Sequence, residues 1–179
     1  MFHKILQAKP GEYFDMNISV QGEYESIFSN YQNLRMYKGK DKVTAMPRNV
    51  HQLLNINLVI HVQAEDEVID KIYRNVVNGE ETFSLGRHED MVRIDGIKYV
   101  QNVEQVKRDQ ANRNAYVPLD KLGEGMPGIN YNLNTVYHVT PDNLRRYDKV
   151  KVKYVEEDSN ILLKNVLRDE DGDYIIFYK

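Results

Sequence analysis

Between Phe14 and Gln21 apolar and polar residues alternate strictly: Phe14, Met16, Ile18 and Val20 against Asp15, Asn17, Ser19 and Gln21. A period of two predicts a strand with one face in a core and the other toward water, here running over residues 14–28. The same period returns in Leu53–Val62, where Leu54, Ile56, Leu58 and Ile60 alternate with Asn55, Asn57 and Val59. Glu65–Asn78 then changes period. Val68, Ile69, Ile72, Tyr73, Val76 and Val77 fall on one stripe of a helix, Glu65 and Asp66 suit its positive N-terminal end, and Gly79 closes it. Met1–Ala8, with Phe2, Ile5 and Leu6 on one side, reads as the tail of another helix, stopped by Pro10-Gly11.

Past the helix, Met91–Val103 is expected to be a hairpin turning on Asp95-Gly96. Residues 104–130 read as a connecting stretch, charged first and then rich in glycine and proline. Strand-like runs follow at Tyr131–Thr140, Lys149–Glu156 and Ile161–Arg168, with a fourth at Asp173–Tyr178 after a tight Asp169–Asp173 turn. Up to residue 103 the order is helix tail, strand, strand, helix, strand. That is the order of a ferredoxin-like βαββαβ unit without its first strand and most of its first helix. The expected fold is α+β: an incomplete ferredoxin-like unit over 1–103 with a long hairpin at 29–49, a linker over 104–130, and a C-terminal antiparallel β extension over 131–179.

A chain of 179 residues is one domain, or one domain with a small appendage, and is long enough to bury a core without covalent staples. It has no cysteine, hence no disulfide, no thiol nucleophile and no thiolate metal site. No apolar run approaches the roughly 18 residues of a membrane span, and the start lacks the apolar core of a signal peptide. A cytoplasmic protein is expected. The net charge of −3 argues against a general nucleic-acid coat and leaves room for a local basic patch.

Such a patch lies in the hairpin stretch. Arg35, Lys38, Lys40, Lys42 and Arg48 face only Asp41 in sequence, and Tyr31, Met36 and Tyr37 interleave with them. Cations neutralise phosphate and flat side chains stack on bases, so a single-stranded RNA path and a merely solvated hairpin both fit. The loop Leu85-Gly86-Arg87-His88-Glu89-Asp90 packs charge around a glycine turn, and reads either as a plain connection or as a binding loop. The five histidines show no HxH, HxxxH or HExxH spacing, so no metal is expected. His88, beside Arg87 and Glu89, has the chemistry of a general acid–base group, but no second group can be placed near it from sequence.

Four stretches carry a family resemblance. Leu85–Ile94 resembles the "LGR-(S/R/H)-E-D-x-(V/A)-x-I" segment of the Cas-five family, the small RAMP-type subunit of type I CRISPR Cascade complexes. Asp15–Gly22 resembles its "DMDISIQG" strand, Leu53–Gln63 the strand leading into its second helix, and Ala115–Leu119 its "AYVPL" segment. The type I-B branch is the nearest in pattern. The resemblance implies an RRM-like RAMP fold, with the basic hairpin as the thumb that rests on the crRNA 5′ handle through Arg35, Tyr37, Lys38, Lys40, Lys42 and Arg48. It places Leu85, Gly86, Arg87, His88, Glu89 and Asp90 at a junction with a Cascade partner, the large subunit or a backbone subunit. It implies no cofactor, no small-molecule substrate and no membrane.

Met1 falls within the family's first helix, so its first strand has no counterpart here. Two functions follow. One is a decoy that docks on a Cascade subunit and blocks assembly as a dominant-negative, anti-CRISPR-like protein acting in a bacterial host. The other is a working subunit that binds the 5′ handle and bridges the large and backbone subunits. In neither is the chain a catalyst. Incubated with a repeat-containing pre-crRNA, it should leave the RNA intact with or without metal; specific cleavage abolished by His88→Ala would contradict this.

Overall fold

The computed structural model describes every residue except 10, 11, 13, 38–42, 80, 81, 86–89, 143 and 179, and for 3, 32–37, 43, 137 and 145 the backbone alone. The fold is mostly β, with one helix longer than a single turn among the described residues. A turn of helix, α1 (Phe2–Ile5), precedes β1 (Asn17–Glu23), β2 (Ser26–Tyr37), β3 (Val43–Leu54) and β4 (Asn57–Gln63), and α2 (Asp66–Val77) follows. Then come β5 (Phe83–Ser84), β6 (Met91–Val92), β7 (Val103–Gln110) and β8 (Asn114–Pro118), a 3-10 turn at Leu119–Lys121, β9 (Asn130–Val139), β10 (Arg145–Val155), β11 (Asn160–Asp169) and β12 (Tyr174–Ile175). One sheet has the order β4-β1-β8-β10-β9, a second β12-β11-β7, and β2-β3 and β5-β6 are two-stranded.

The helix forms where its periodicity places it. Asp66 and Glu67 occupy its first turn and Arg74 its last, as the helix dipole favours. Its apolar stripe, through Val68, Ile72 and Val76, closes a cluster with Ile5, Leu6, Phe14, Met16, Val62 and Phe83. The Asn75 amide donates to the Ile5 carbonyl at 2.6 Å, which seats α1 against α2.

The expected single strand over 14–28 is two strands, and so is Leu53–Val62. β1 and β4 pair from Asn17↔Gln63 to Glu23↔Asn57, and β2 and β3 from Ser26↔Leu54 to Tyr37↔Val43. The result is one long hairpin with a break. On one arm the break falls at Tyr24-Glu25, and on the other at Asn55, whose φ of 50° is left-handed. Glu25 N–H donates to the Leu54 carbonyl at 3.0 Å, and the Asn55 amide donates to the Glu25 carboxylate, so the break is itself hydrogen-bonded. Just before it, a Cβ at Gly22 would stand 2.3 Å from the Asn57 carbonyl oxygen, so only glycine fits there.

The hairpin expected over Met91–Val103 does not form. Arg93 grips Asp95 at 2.5 Å, and residues 93–102 join no ladder. Ile94 and Ile97 both pack into the α2 cluster, while Tyr99 stacks on Tyr73 of α2 at 4.9 Å and donates to Asp70 at 2.8 Å. Packing along the helix on both sides of Asp95-Gly96 replaces folding back. Residues 104–130, expected as a connection, contain β7 and β8. Val106, Ala111, Ala115, Val117 and Leu122 from this stretch are buried with Val155, Ile161, Leu163, Val166, Tyr174 and Ile176 in the core between the two larger sheets. The five-stranded sheet therefore takes strands from all three expected segments.

No helix of the described residues is long and apolar enough to cross a membrane. Leu163, 2% exposed in the inter-sheet core, and Ile27, 60% exposed on the two-stranded ribbon, give a test of this layout. Leu163→Ala should cost about 2–5 kcal/mol in urea unfolding, whereas Ile27→Ala should stay within about 0.5 kcal/mol.

Candidate functional site

Among the described residues the ribbon β2–β3 joins no other sheet. Because side chains alternate across a strand, Ile27 and its partner Leu53 point to one face, and Phe28 and Leu54 to the other. All four are exposed, by 60%, 45%, 48% and 43%, so neither face is covered. A two-stranded ribbon is marginally stable in water by itself. Apolar residues stand exposed on both faces of its base. Tyr31 and Met46 farther along are exposed as well, and the Ser29 hydroxyl meets His51 Nδ1 at 2.7 Å.

The sequence-predicted RNA residues fall on this ribbon in part. The backbone places Arg35 opposite Ala45, Tyr37 opposite Val43, and Arg48 opposite Gln32, with Arg48 exposed. The side chains of Arg35 and Tyr37, and Lys38, Lys40 and Lys42 altogether, lie outside the described residues. In the predicted junction loop, β5 and β6 pair Phe83↔Val92 and Ser84↔Met91, and Leu85 N–H donates to the Asp90 carbonyl at 2.9 Å. Leu85 and Met91 are exposed, and Asp90 is half-buried. Gly86, Arg87, His88 and Glu89 lie outside the described residues.

A third feature was not foreseen. The polar face of β1 is not solvated: Ser19 and Gln21 are 1% and 2% exposed, and the C-terminal residues Tyr174 and Ile176 bond to Ser19. Ser19 stands opposite His61 in the β1–β4 ladder, and His61 Nε2 meets the Asp169 carboxylate at 3.1 Å. Serine, histidine and aspartate thus converge, the residue types of a hydrolytic triad. Their hydrogen bonds give them a different role. Ser19 Oγ accepts from Ile176 N–H at 2.9 Å and donates to the Tyr174 carbonyl at 3.4 Å, deep under the tail. Asp169 accepts from the N–H groups of Asp173 at 2.8 Å and Asp171 at 3.0 Å. The group is a structural knot that fastens the C-terminal turn to the sheet.

That turn, Asp169–Asp173, gathers further segments. Arg113 donates to Asp173 at 2.9 Å and to Glu23 of β1 at 3.1 Å, and the Asn112 amide donates to Asp173 at 2.9 Å. Glu170 accepts from Lys98 at 3.1 Å, from Gln101 N–H at 3.4 Å and from Asn102 N–H at 3.2 Å. Its own backbone N–H, Lys98 and these amides hold the Glu170 carboxyl down at about 2. For Asp169, burial pushes the carboxyl upward, but the Asp173 N–H, His61 and the Asp171 N–H outweigh it and keep the carboxyl below its usual range. The sequence signals were a histidine on the polar phase of an alternating strand and an acidic turn, and neither identifies its partner.

Among the described residues no group of three or more histidine, aspartate or glutamate side chains could hold a metal ion. No family model, curated protein or solved structure matches the chain.

Asp169→Asn removes the charge and keeps the shape. Because the folded-state pKa of Asp169 lies below the ordinary value, its stabilisation is present above about pH 4 and is lost as pH falls through the folded pKa. The variant should therefore be less stable at pH 7 by about 2 kcal/mol, and the gap should narrow as urea midpoints are followed downward from about pH 4. A gap that does not narrow at all below that pH would show that the charge is not what matters.

Proposed function

We propose that this chain is a non-catalytic, Cas-five-like docking protein that binds a subunit of a type I-B Cascade complex, the large subunit first among them, and competes there with the resident Cas-five subunit. The Cas-five assignment rests on the resemblance in residues 15–22, 53–63, 85–94 and 115–119. The antiparallel β1–β4 pair with α2 following it and packing on its Val62 face supports an incomplete ferredoxin-like, RAMP-type unit. The observation that carries the docking role is the β2–β3 ribbon, a twelve-residue pair of strands with apolar side chains exposed on both faces of its base. Such a surface gains free energy by being covered, and a shared partner subunit is what the resemblance offers to cover it. Competition then needs no more than comparable affinity and excess concentration.

A second reading, a working subunit that holds the crRNA 5′ handle, is favoured by Tyr31 and Arg48, a flat side chain and a cation both exposed on the same ribbon. Salt-sensitive binding to a 5′-handle oligonucleotide, lost when Lys38, Lys40 and Lys42 are replaced by Glu, would select that reading.

Co-expression with a complete type I-B system separates the two. The competitor should lower plasmid interference, and pull-down should recover the large subunit depleted of its normal small partner. Phe28→Asp with Leu53→Asp should weaken that competition about tenfold, equivalent to about 1.4 kcal/mol. Restored interference in a strain lacking its own Cas-five subunit would make the chain a working subunit and refute competition.

A further inference from the structure

The five-stranded sheet ends at β4, which pairs with β1 on one side alone. Edge strands are usually blunted by charge, proline or a bulge, because their outward N–H and C=O groups accept any strand that approaches. β4, Asn57-Leu58-Val59-Ile60-His61-Val62-Gln63, has no charged residue and no proline, and its ladder with β1 runs through seven consecutive pairs without a shift. Among the described residues its main chain makes no bond to any other main chain beyond β1.

Residues 93–102 are the complementary anomaly. They pack Ile94 and Ile97 into the same cluster under α2 that holds Val62 of β4, yet no main-chain group of 93–102 bonds another main chain among the described residues. Both segments are fastened to the Asp169–Asp173 turn, β4 through His61 and 93–102 through Glu170. The apolar surface of the ribbon base also runs on to this edge through Ile56 and Leu58, 46% and 36% exposed.

We propose that β4 is the acceptor for an extended segment of the docking partner, which adds to the sheet as a sixth strand at this edge. Main-chain pairing would supply the affinity, and alternate apolar side chains facing the α2 layer the register. A polypeptide strand is the occupant, since unpaired N–H and C=O groups in strand register are matched by nothing else so completely. A second copy of the chain fits less well. Its own β4 is already committed to β1, so it can offer one free edge, whereas a strand lying by 93–102 must be free along both. The inference rests on the docking role proposed above and specifies where contact occurs and in what form.

Hydrogen exchange on the chain, alone and bound to purified type I-B large subunit, tests it. Amides of 57–63 and 93–102 should exchange at least tenfold more slowly in the complex, and Leu58→Lys should lower capture about tenfold while the exchange of α2 in the free chain stays unchanged. A complex that forms with 57–63 exchanging as in the free chain would overturn strand addition and leave docking standing. No complex at all would overturn both. The same protection appearing in the chain alone as its concentration rises would assign the edge to a second copy and overturn the partner-strand proposal.

Discussion

The Asp169 carboxylate is the constraint on which the arrangement depends. One oxygen takes the two N–H groups that shape the turn, and the other meets His61 at the sheet. Buried charge is tolerated only when it is paired and hydrogen-bonded, and here the pairing joins segments far apart in sequence. Through the neighbouring Glu170 and Asp173 the same turn holds 98–102, Asn112 and Arg113. The C-terminal tail then lies over Ser19, on a face of β1 where Gln21 is buried as well, so that what would be the wet face is an interior. Two layers on opposite sides of one sheet, α2 and its cluster on one and the β7–β11–β12 sheet on the other, are a consequence of this fastening.

The second organising element is the break in the long hairpin. Gly22 lets β1 approach the Asn57 carbonyl, and Asn55 takes a left-handed conformation at the break between β3 and β4. On the near side of the break the two strands belong to the sheet; beyond it they form a ribbon that, among the described residues, joins no sheet. A chain whose apolar residues were all placed for its own core would not leave Ile27, Phe28, Leu53 and Leu54 in water. The ribbon and the uncharged edge of β4 meet at Ile56 and Leu58, so the exposed apolar surfaces adjoin, and β4 carries on from there to His61 of the serine–histidine–aspartate knot.

Local patterns in the sequence were sufficient for some elements. The stripe of Val68, Ile72 and Val76 with acids before it and Arg74 near its end specifies α2, because helix periodicity and end charges are short-range properties. Alternation specifies β1 and β4 as strands for the same reason, and Asp169–Asp173 as a turn. The hairpin at 29–49 was expected from the family resemblance and not from a pattern of its own, and its strands extend to Ser26 and Leu54. The candidate site was legible only as types of residue: the cations and tyrosines of the ribbon are visible in sequence, whereas its isolation from every sheet is not.

Tertiary structure alone decided the rest. Asp95-Gly96 carries a strong local turn signal, yet packing of Ile94, Ile97 and Tyr99 along α2 overrode it, since burial over several side chains exceeds the preference of one dipeptide. Residues 104–130 read as a connection, charged first and then rich in glycine and proline. Within them β7 and β8 form because Val106 meets β11 and Ala115 and Val117 meet β10, with ladder partners at Val166, Val155 and Lys153. Ser19, Gln21 and His61 read as polar and exposed because sequence records the polarity of a side chain and not what lies over it. Local propensity and periodicity are written in neighbouring residues, while pairing, coverage and free edges depend on contacts between distant ones.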